Sequence, residues 1–243
     1  MIVLYTDFGS DDLYVGQMKA ALLQHAGAVP IVDLLHRVPN FEVEAGAHLL
    51  AALAPHFATG TVFLTVVDPG VGSARPAVVV EADGKWYVGP DNGLLAIVAA
   101  RAAVLRTWRI IWRPDRLSHS FHGRDLFAPI AARIAHGDAL ADALEATAGL
   151  EHVLPAADRM AVIYIDHYGN ALTGVRAANV PPAAWLAAAG TRLPPARVFS
   201  EVPAGQAFWY ENSLGLVEIA VNRGSAEAAL GLAVGTPVLP TTV

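Results

Sequence analysis

The chain contains no cysteine. That excludes disulfides and thiolate metal sites and leaves the compartment open. Charged side chains are sparse: they make up 16% of 243 residues, and the formal net charge is −6. This balance argues against a nucleic-acid surface and mildly favours cationic ligands. The longest apolar runs contain polar residues or are too short to span a bilayer. The start, Met1-Ile2-Val3-Leu4-Tyr5-Thr6-Asp7, lacks a basic n-region and meets an acid at once, so it reads as a first strand and no secretory signal. There is no Walker loop, no G-x-G-x-x-G, no G-x-S-x-G, no H-E-x-x-H, no internal repeat and no low-complexity tail. What these absences leave as the default is a cytoplasmic enzyme with neither membrane nor nucleic acid among its partners.

Apolar residues are plentiful, at 54%, and many are alanine, enough for a substantial core with well-packed helices. The first 150 residues alternate strand and helix patterns. Ile2 to Thr6 reads as a strand, Leu13 to His25 as a helix, Val29 to Leu35 as a strand and Glu42 to Phe57 as a helix. A third strand, from Thr61, stops at Asp68. Ala77–Ala82 and Lys85–Val88, joined by Asp83-Gly84, read as a hairpin. A helix to about Arg101, a strand around Val104–Trp112 and a helix to about His136 follow. The expected class is α/β, with a mostly parallel central sheet.

Character changes after Gly149. Glu151 to Asp158 reads as a linker, and residues 159–243 as a small antiparallel β-barrel domain. Its candidate strands are Met160–Ile165, Ala171–Val175, Arg192–Phe199, Gln206–Tyr210 and Leu214–Val221. Prolines 181, 182, 194, 195 and 203 mark turns and edges.

Polar groups collect at strand ends, where open α/β sheets keep their ligands. Asp68 opens the loop Asp68-Pro69-Gly70-Val71-Gly72-Ser73-Ala74-Arg75, and Arg75 lies within loop reach of it. Asp7 falls beside Asp68 if their strands are neighbours, and such a pair suits Mg²⁺, a sugar diol or a cation. Asp11 and Asp12 read as helix caps or as ligand-facing acids. In Phe121-His122-Gly123-Arg124-Asp125, the ring of His122 can reach a cleft, while Arg124 and Asp125 pair to fix the loop. Asp166-His167-Tyr168-Gly169-Asn170 reads equally as a hairpin turn and as a recognition turn for a base or an amine.

Taken together, Thr6-Asp7-Phe8-Gly9, Asp68-Pro69-Gly70-Val71-Gly72, Pro90-Asp91-Asn92-Gly93, Phe121-His122-Gly123-Arg124-Asp125 and Asp166-His167-Tyr168-Gly169-Asn170 resemble the S-adenosyl-L-methionine (SAM) hydroxide adenosyltransferases. These are the SAM hydrolases related to fluorinase and chlorinase. The order holds through nearly the whole chain, ending at Asn212-Ser213 and Asn222-Arg223. The resemblance implies an α/β domain over 1–150 with the water-activating residues, and a β-barrel over 159–243 with adenine and methionine contacts. It also implies a homotrimer with sites between subunits, no metal, and no cofactor, SAM being the substrate. The implied reaction converts SAM and water to adenosine and L-methionine.

Position by position, the resemblance makes Asp68, Arg75 and His122 the water-activating set and Asp7 the acid on the ribose hydroxyls. Phe41 takes the place of an aromatic walling the sugar. Tyr168 and Phe199 match aromatics near the adenosyl group, and Asn170 an adenine-reading amide. Asp166 and Ser213 match residues on the methionine end, and Asp12 and Arg223 complete the substrate-binding set. The halogenases differ at Asp68, His122 and Gly123, the last being a halide-binding serine there, which favours water as nucleophile. Leu214 stands where they carry an arginine. Asp68 and His122 both remain open as the base. Other readings are a non-catalytic SAM or adenosine sensor, a metal-dependent phosphoesterase using Asp7, Asp68 and His122, and residual halide activity.

Overall fold

A computed structural model describes residues 1–241. The chain divides into two compact units, Met1–Ala156 and Ala157–Val243.

The first unit is built on seven strands: β1 (Ile2–Thr6), β2 (Ile31–Leu35), β3 (Val62–Val66), β4 (Ala77–Ala82), β5 (Lys85–Pro90), β6 (Leu105–Ile110) and β7 (Leu144–Thr147). Its helices are α1 (Leu13–Ala26), α2 (Val43–Leu53), α3 (Ala96–Arg101) and α4 (Ala128–His136). The sheet order is β2-β1-β3-β5-β4-β6-β7. β2, β1, β3 and β5 are joined in parallel, and β4, β6 and β7 are added antiparallel. Two reversals return β6 to the direction of β5, so five of the seven strands point one way.

Residues IVLYT of β1 and VFLTV of β3 are buried throughout, as strands covered on both faces must be. Their alternation divides the core. Ile2, Leu4, Val62, Leu64 and Val66 pack with Met18 and Leu22 of α1 and Ile130 of α4. On the opposite face the Tyr5 hydroxyl donates to Gly46 O in α2, 2.8 Å, and Phe63 stacks on Tyr87 at 5.0 Å. The helix expected to reach Phe57 stops at Leu53 and tightens into a 3₁₀ turn, Ala54–His56, around Pro55, whose nitrogen has no hydrogen to donate. β7 carried no clear period and was not anticipated.

Chain order and sheet order part company at β3, β4 and β5. β5 lies between the other two, so the loop leaving β3 crosses the end of β5 to reach β4. That crossing is the Asp68–Arg75 loop.

The second unit holds β8 (Arg159–Ile165), β9 (Ala171–Arg176), β10 (Trp185–Ala188), β11 (Thr191–Leu193), β12 (Ala207–Glu211), β13 (Leu216–Val221), β14 (Val238–Thr241) and α5 (Ala226–Leu230). All its ladders are antiparallel, as expected. They form two separate sheets, β12-β13-β9-β8 and β11-β10-β14, and among the described residues no ladder closes them into a barrel. Single bridges join Ala161 to Pro237 and Pro195 to Trp209. The strand expected over 192–199 is cut short at Leu193, since Pro194 and Pro195 offer no ladder donors. β10, β14 and α5 were not anticipated.

Candidate active site

β1 and β3 are in register, Thr6 opposite Val66, so Asp7 and Asp68 leave the sheet at the same edge. The Asp7 N–H donates to Val66 O, 3.3 Å. Beyond Asp68 the chain turns twice, with Val71 N donating to Asp68 O at 3.2 Å and Ser73 N to Gly70 O at 3.1 Å. Gly72 has φ +80, and a Cβ on it would stand 2.3 Å from His119 O. Only glycine permits that approach between the Asp68 loop and the loop before His122. Asn92 Nδ2 braces the strand end by donating to Val67 O, 2.8 Å.

Arg75 closes the loop. Its Nε donates to Asp68 Oδ1 at 2.9 Å and its Nη2 to Asp68 Oδ2, a two-point clasp between side chains only 7% and 3% exposed. Nη2 also donates to His122 Nδ1, 3.1 Å. The guanidinium rests over the Phe127 ring, 5.2 Å from its centroid. His122 immediately precedes a π-helical turn, Gly123–Phe127, that runs into α4. Arg124 and Asp125 pair there as expected: Arg124 Nε donates to Asp125 Oδ1 at 2.5 Å, and Ser118 N to Asp125 Oδ2 at 2.9 Å.

Asp7, Phe41, Asp68 and His122 line one cavity of about 120 Å³ with Phe8, Val71, Ser120, Phe121 and Gly123. Phe41 is 72% exposed and has φ +66, a conformation costly for a side chain of its size. Its N–H donates to Asp7 Oδ2, 3.4 Å. Burial, more than the nearby Asp68 charge, holds the Asp7 pKa above the usual carboxylate range. Burial and then the Arg75 charge hold that of His122 below the usual histidine range. A second cleft, of about 500 Å³, is bordered by Arg75 and His122 together with Arg109, Arg113, His119 and Glu151.

Asp12 is not among the residues lining that cavity. Its Oδ1 caps α1 by accepting from Leu13 N, 2.6 Å. In the second unit Asp166 Oδ1 accepts from the N–H groups of Tyr168, 2.9 Å, and Asn170, 2.8 Å, while Oδ2 accepts from Asn170 Nδ2, 3.1 Å. Both side chains therefore organise their own turn, and Tyr168 stands exposed on it. Phe199 opens a 3₁₀ turn and meets Phe208 and Tyr210 edge-on. Ser213 lies in a cleft of about 550 Å³ with Arg197, Glu201, Trp209 and Asn212. Arg223, at φ +59, is an exposed turn residue after β13. The second-unit set is thus dispersed over four turns.

Several residues escaped the sequence reading. Phe8, Ser120 and Phe121 line the cavity, and Phe8, Phe121 and Tyr14 form an aromatic cluster beside it. Glu218 is buried in β13, accepting from the Tyr210 hydroxyl at 2.5 Å and Asn212 Nδ2 at 2.8 Å. An acid set inside an apolar strand was the one available signal for it.

The family profile described as SAM hydroxide adenosyltransferase N-terminal domain matches residues 2–144, and the corresponding C-terminal domain profile matches 160–239. The chain belongs to the SAM hydroxide adenosyltransferase family. It is 40% identical to the (R)-S-adenosyl-L-methionine hydrolase of Thermus thermophilus, with 98% of both chains covered. A fluorinase from Actinopolyspora mzabensis is a more distant relative, 26% identical over 99% of this chain and 97% of its own. The crystal structure of an uncharacterized conserved protein from Thermotoga maritima superposes with a TM-score of 0.90 at 30% identity, covering all of both chains. Membership of this family frames the chemistry that the Asp68, Arg75 and His122 contacts can perform. Among the described residues no group of three or more His, Asp or Glu side chains is gathered as a metal-ligand set, and no helix is long and apolar enough to cross a membrane.

Proposed function

We propose that the chain hydrolyses SAM to adenosine and L-methionine by in-line attack of water on the ribose 5′ carbon. The carrying observation is the Asp68–Arg75–His122 chain of contacts, its Asp68–Arg75 clasp buried, whose first and last members open onto the cavity that also holds Asp7 and Phe41. Displacing methionine from a sulfonium releases a neutral thioether, so the leaving group needs no acid. The demand is an oriented, desolvated water and an acceptor for its proton. Arg75 aims Asp68, and Asp7, with one oxygen held by the Phe41 N–H, is placed to accept from the ribose hydroxyls. Phe41 and Phe121 supply apolar wall.

A cavity of about 120 Å³ is smaller than the ~300 Å³ at which ligand pockets begin, so it suits the sugar and 5′ carbon rather than the entire substrate. The adenine and methionine contacts are assigned by resemblance to Asp166, Tyr168, Asn170, Phe199, Ser213 and Arg223, within a homotrimer in the cytoplasm. The engagement of Asp166 with Asn170 means that turn is preformed and presents its remaining polar edge. Asp12 is assigned the helix cap. The bridges Ala161–Pro237 and Pro195–Trp209 support reading the second unit as a barrel with two single-bridge seams.

The test is turnover of SAM in ¹⁸O-labelled water, read by mass spectrometry. The expected products are free methionine and adenosine carrying the label at its 5′ oxygen. SAM binding without product would replace the enzyme by a sensor, and a 5′-halo-adenosine in added chloride or fluoride would place halide beside water as a nucleophile. Sedimentation at three times the monomer mass is expected, and a monomer would remove the trimer.

A further inference from the structure

Arg75 determines where the proton of His122 sits. A guanidinium has N–H groups and no acceptor, so the 3.1 Å contact from Nη2 to His122 Nδ1 needs a lone pair on Nδ1. The two hydrogens of Nη2 are then both used, one on Asp68 and one on His122. An imidazolium has no such lone pair. The ring is therefore neutral, and its one hydrogen is on Nε2.

The surroundings agree with that charge state. Burial and the positive charges of Arg75 and Arg113 oppose protonation, against the weaker pull of Asp68 and Asp125. Phe127 stands edge-on to the ring at 6.5 Å and adds no charge. Among the described residues Nε2 meets no hydrogen-bonding partner, while the ring borders the cavity shared with Asp68. Its free N–H is thus the one polar feature of the ring left for a guest.

Building on the proposed hydrolysis, we infer that His122 is a neutral donor that orients the attacking water through Nε2–H, and that Asp68 is the base. The balance is complete without another reactant. One lone pair of the water oxygen forms the bond to the 5′ carbon, and the other accepts from His122 Nε2. One water hydrogen passes to Asp68, whose oxygens each keep a lone pair beyond the one given to Arg75. The other hydrogen remains as the 5′ hydroxyl of adenosine. The carbon–sulfur bond breaks with its electron pair on sulfur. A neutral donor also suits a site that must take a sulfonium beside Arg75, where an imidazolium would add a further positive charge.

The test combines a spectrum with a substitution pair. In ¹⁵N-histidine-labelled protein near pH 7.5, long-range ¹H–¹⁵N correlation should show His122 as the Nε2–H tautomer, its signals assigned by their loss in His122→Gln. An Nδ1–H tautomer or an imidazolium overturns the inference, whether or not SAM turns over. His122→Gln replaces the ring by an amide that donates and has no basicity, whereas His122→Ala removes the donor. With folding verified by circular dichroism, the glutamine variant should stay within about ten-fold of the parent kcat, with the alanine variant falling ~10²-fold. A glutamine variant as inactive as the alanine variant makes His122 the base and overturns the assignment. An inactive parent with the Nε2–H tautomer intact would sink the hydrolase reading while leaving the tautomer standing.

Discussion

At the residue, the binding role proposed for Asp7 comes at the expense of stability. Its raised pKa means that the folded chain binds more protons than the unfolded one between the ordinary and the raised value, so stability falls as pH rises through that window and stays lower above it. Asp7→Asn should therefore raise the melting temperature at neutral pH while raising KM about 10-fold or more, the loss of a charged acceptor on the ribose. A lower melting temperature would mean that the carboxylate is a structural brace. Arg75→Lys keeps the charge and loses the fork that holds Asp68 and His122 together, so kcat should fall ~10²-fold. An unimpaired lysine variant would show that charge alone matters. Asp68→Asn should cut turnover by about 10²-fold or more with SAM affinity within a few-fold.

Among elements, the sequence was most legible where pattern and packing agree. Buried runs such as IVLYT and VFLTV declare strands covered on both faces, and Asp68 and Asp7 were readable as strand-end acids for the same reason. It was least legible where tertiary pairing decides. β10 and β14 are four residues each and gain their form from one another, and Asp12 looks alike in sequence whether it caps a helix or faces a ligand. Side-chain convergence was beyond reach as well: Phe8 and Phe121 meet only because the loop after β1 and the loop before the π turn are brought together. Gly72 joins two such loops. Gly72→Ala would drive a methyl into His119 O at a positive φ, so the Asp68 loop must shift; a stability loss of about 1–3 kcal/mol and a kcat loss beyond ten-fold are expected. A variant of parental activity would show that the two loops are not coupled.

For the whole molecule, the net charge of −6 faces a substrate that brings a sulfonium. Encounter should be helped at long range, so kcat/KM should fall modestly between low and physiological salt, with kcat steady. Salt-independent kcat/KM would confine the electrostatics to the cavity. Dialysis against EDTA should leave turnover unchanged, and a loss restored by a divalent cation would overturn the metal-free reading.

The order β3-β5-β4 has a consequence for engineering. Because the Asp68–Arg75 loop arches over the end of β5, its span is fixed by two inter-strand spacings, roughly 10 Å. The sheet works as a ruler. It sets how far Arg75 must reach back to clasp Asp68, and an inserted or deleted residue would alter that reach at once. The smallest portable form of the Asp68–Arg75 clasp is accordingly a three-strand panel with its arch, and a transplanted loop peptide would arrive without its measure.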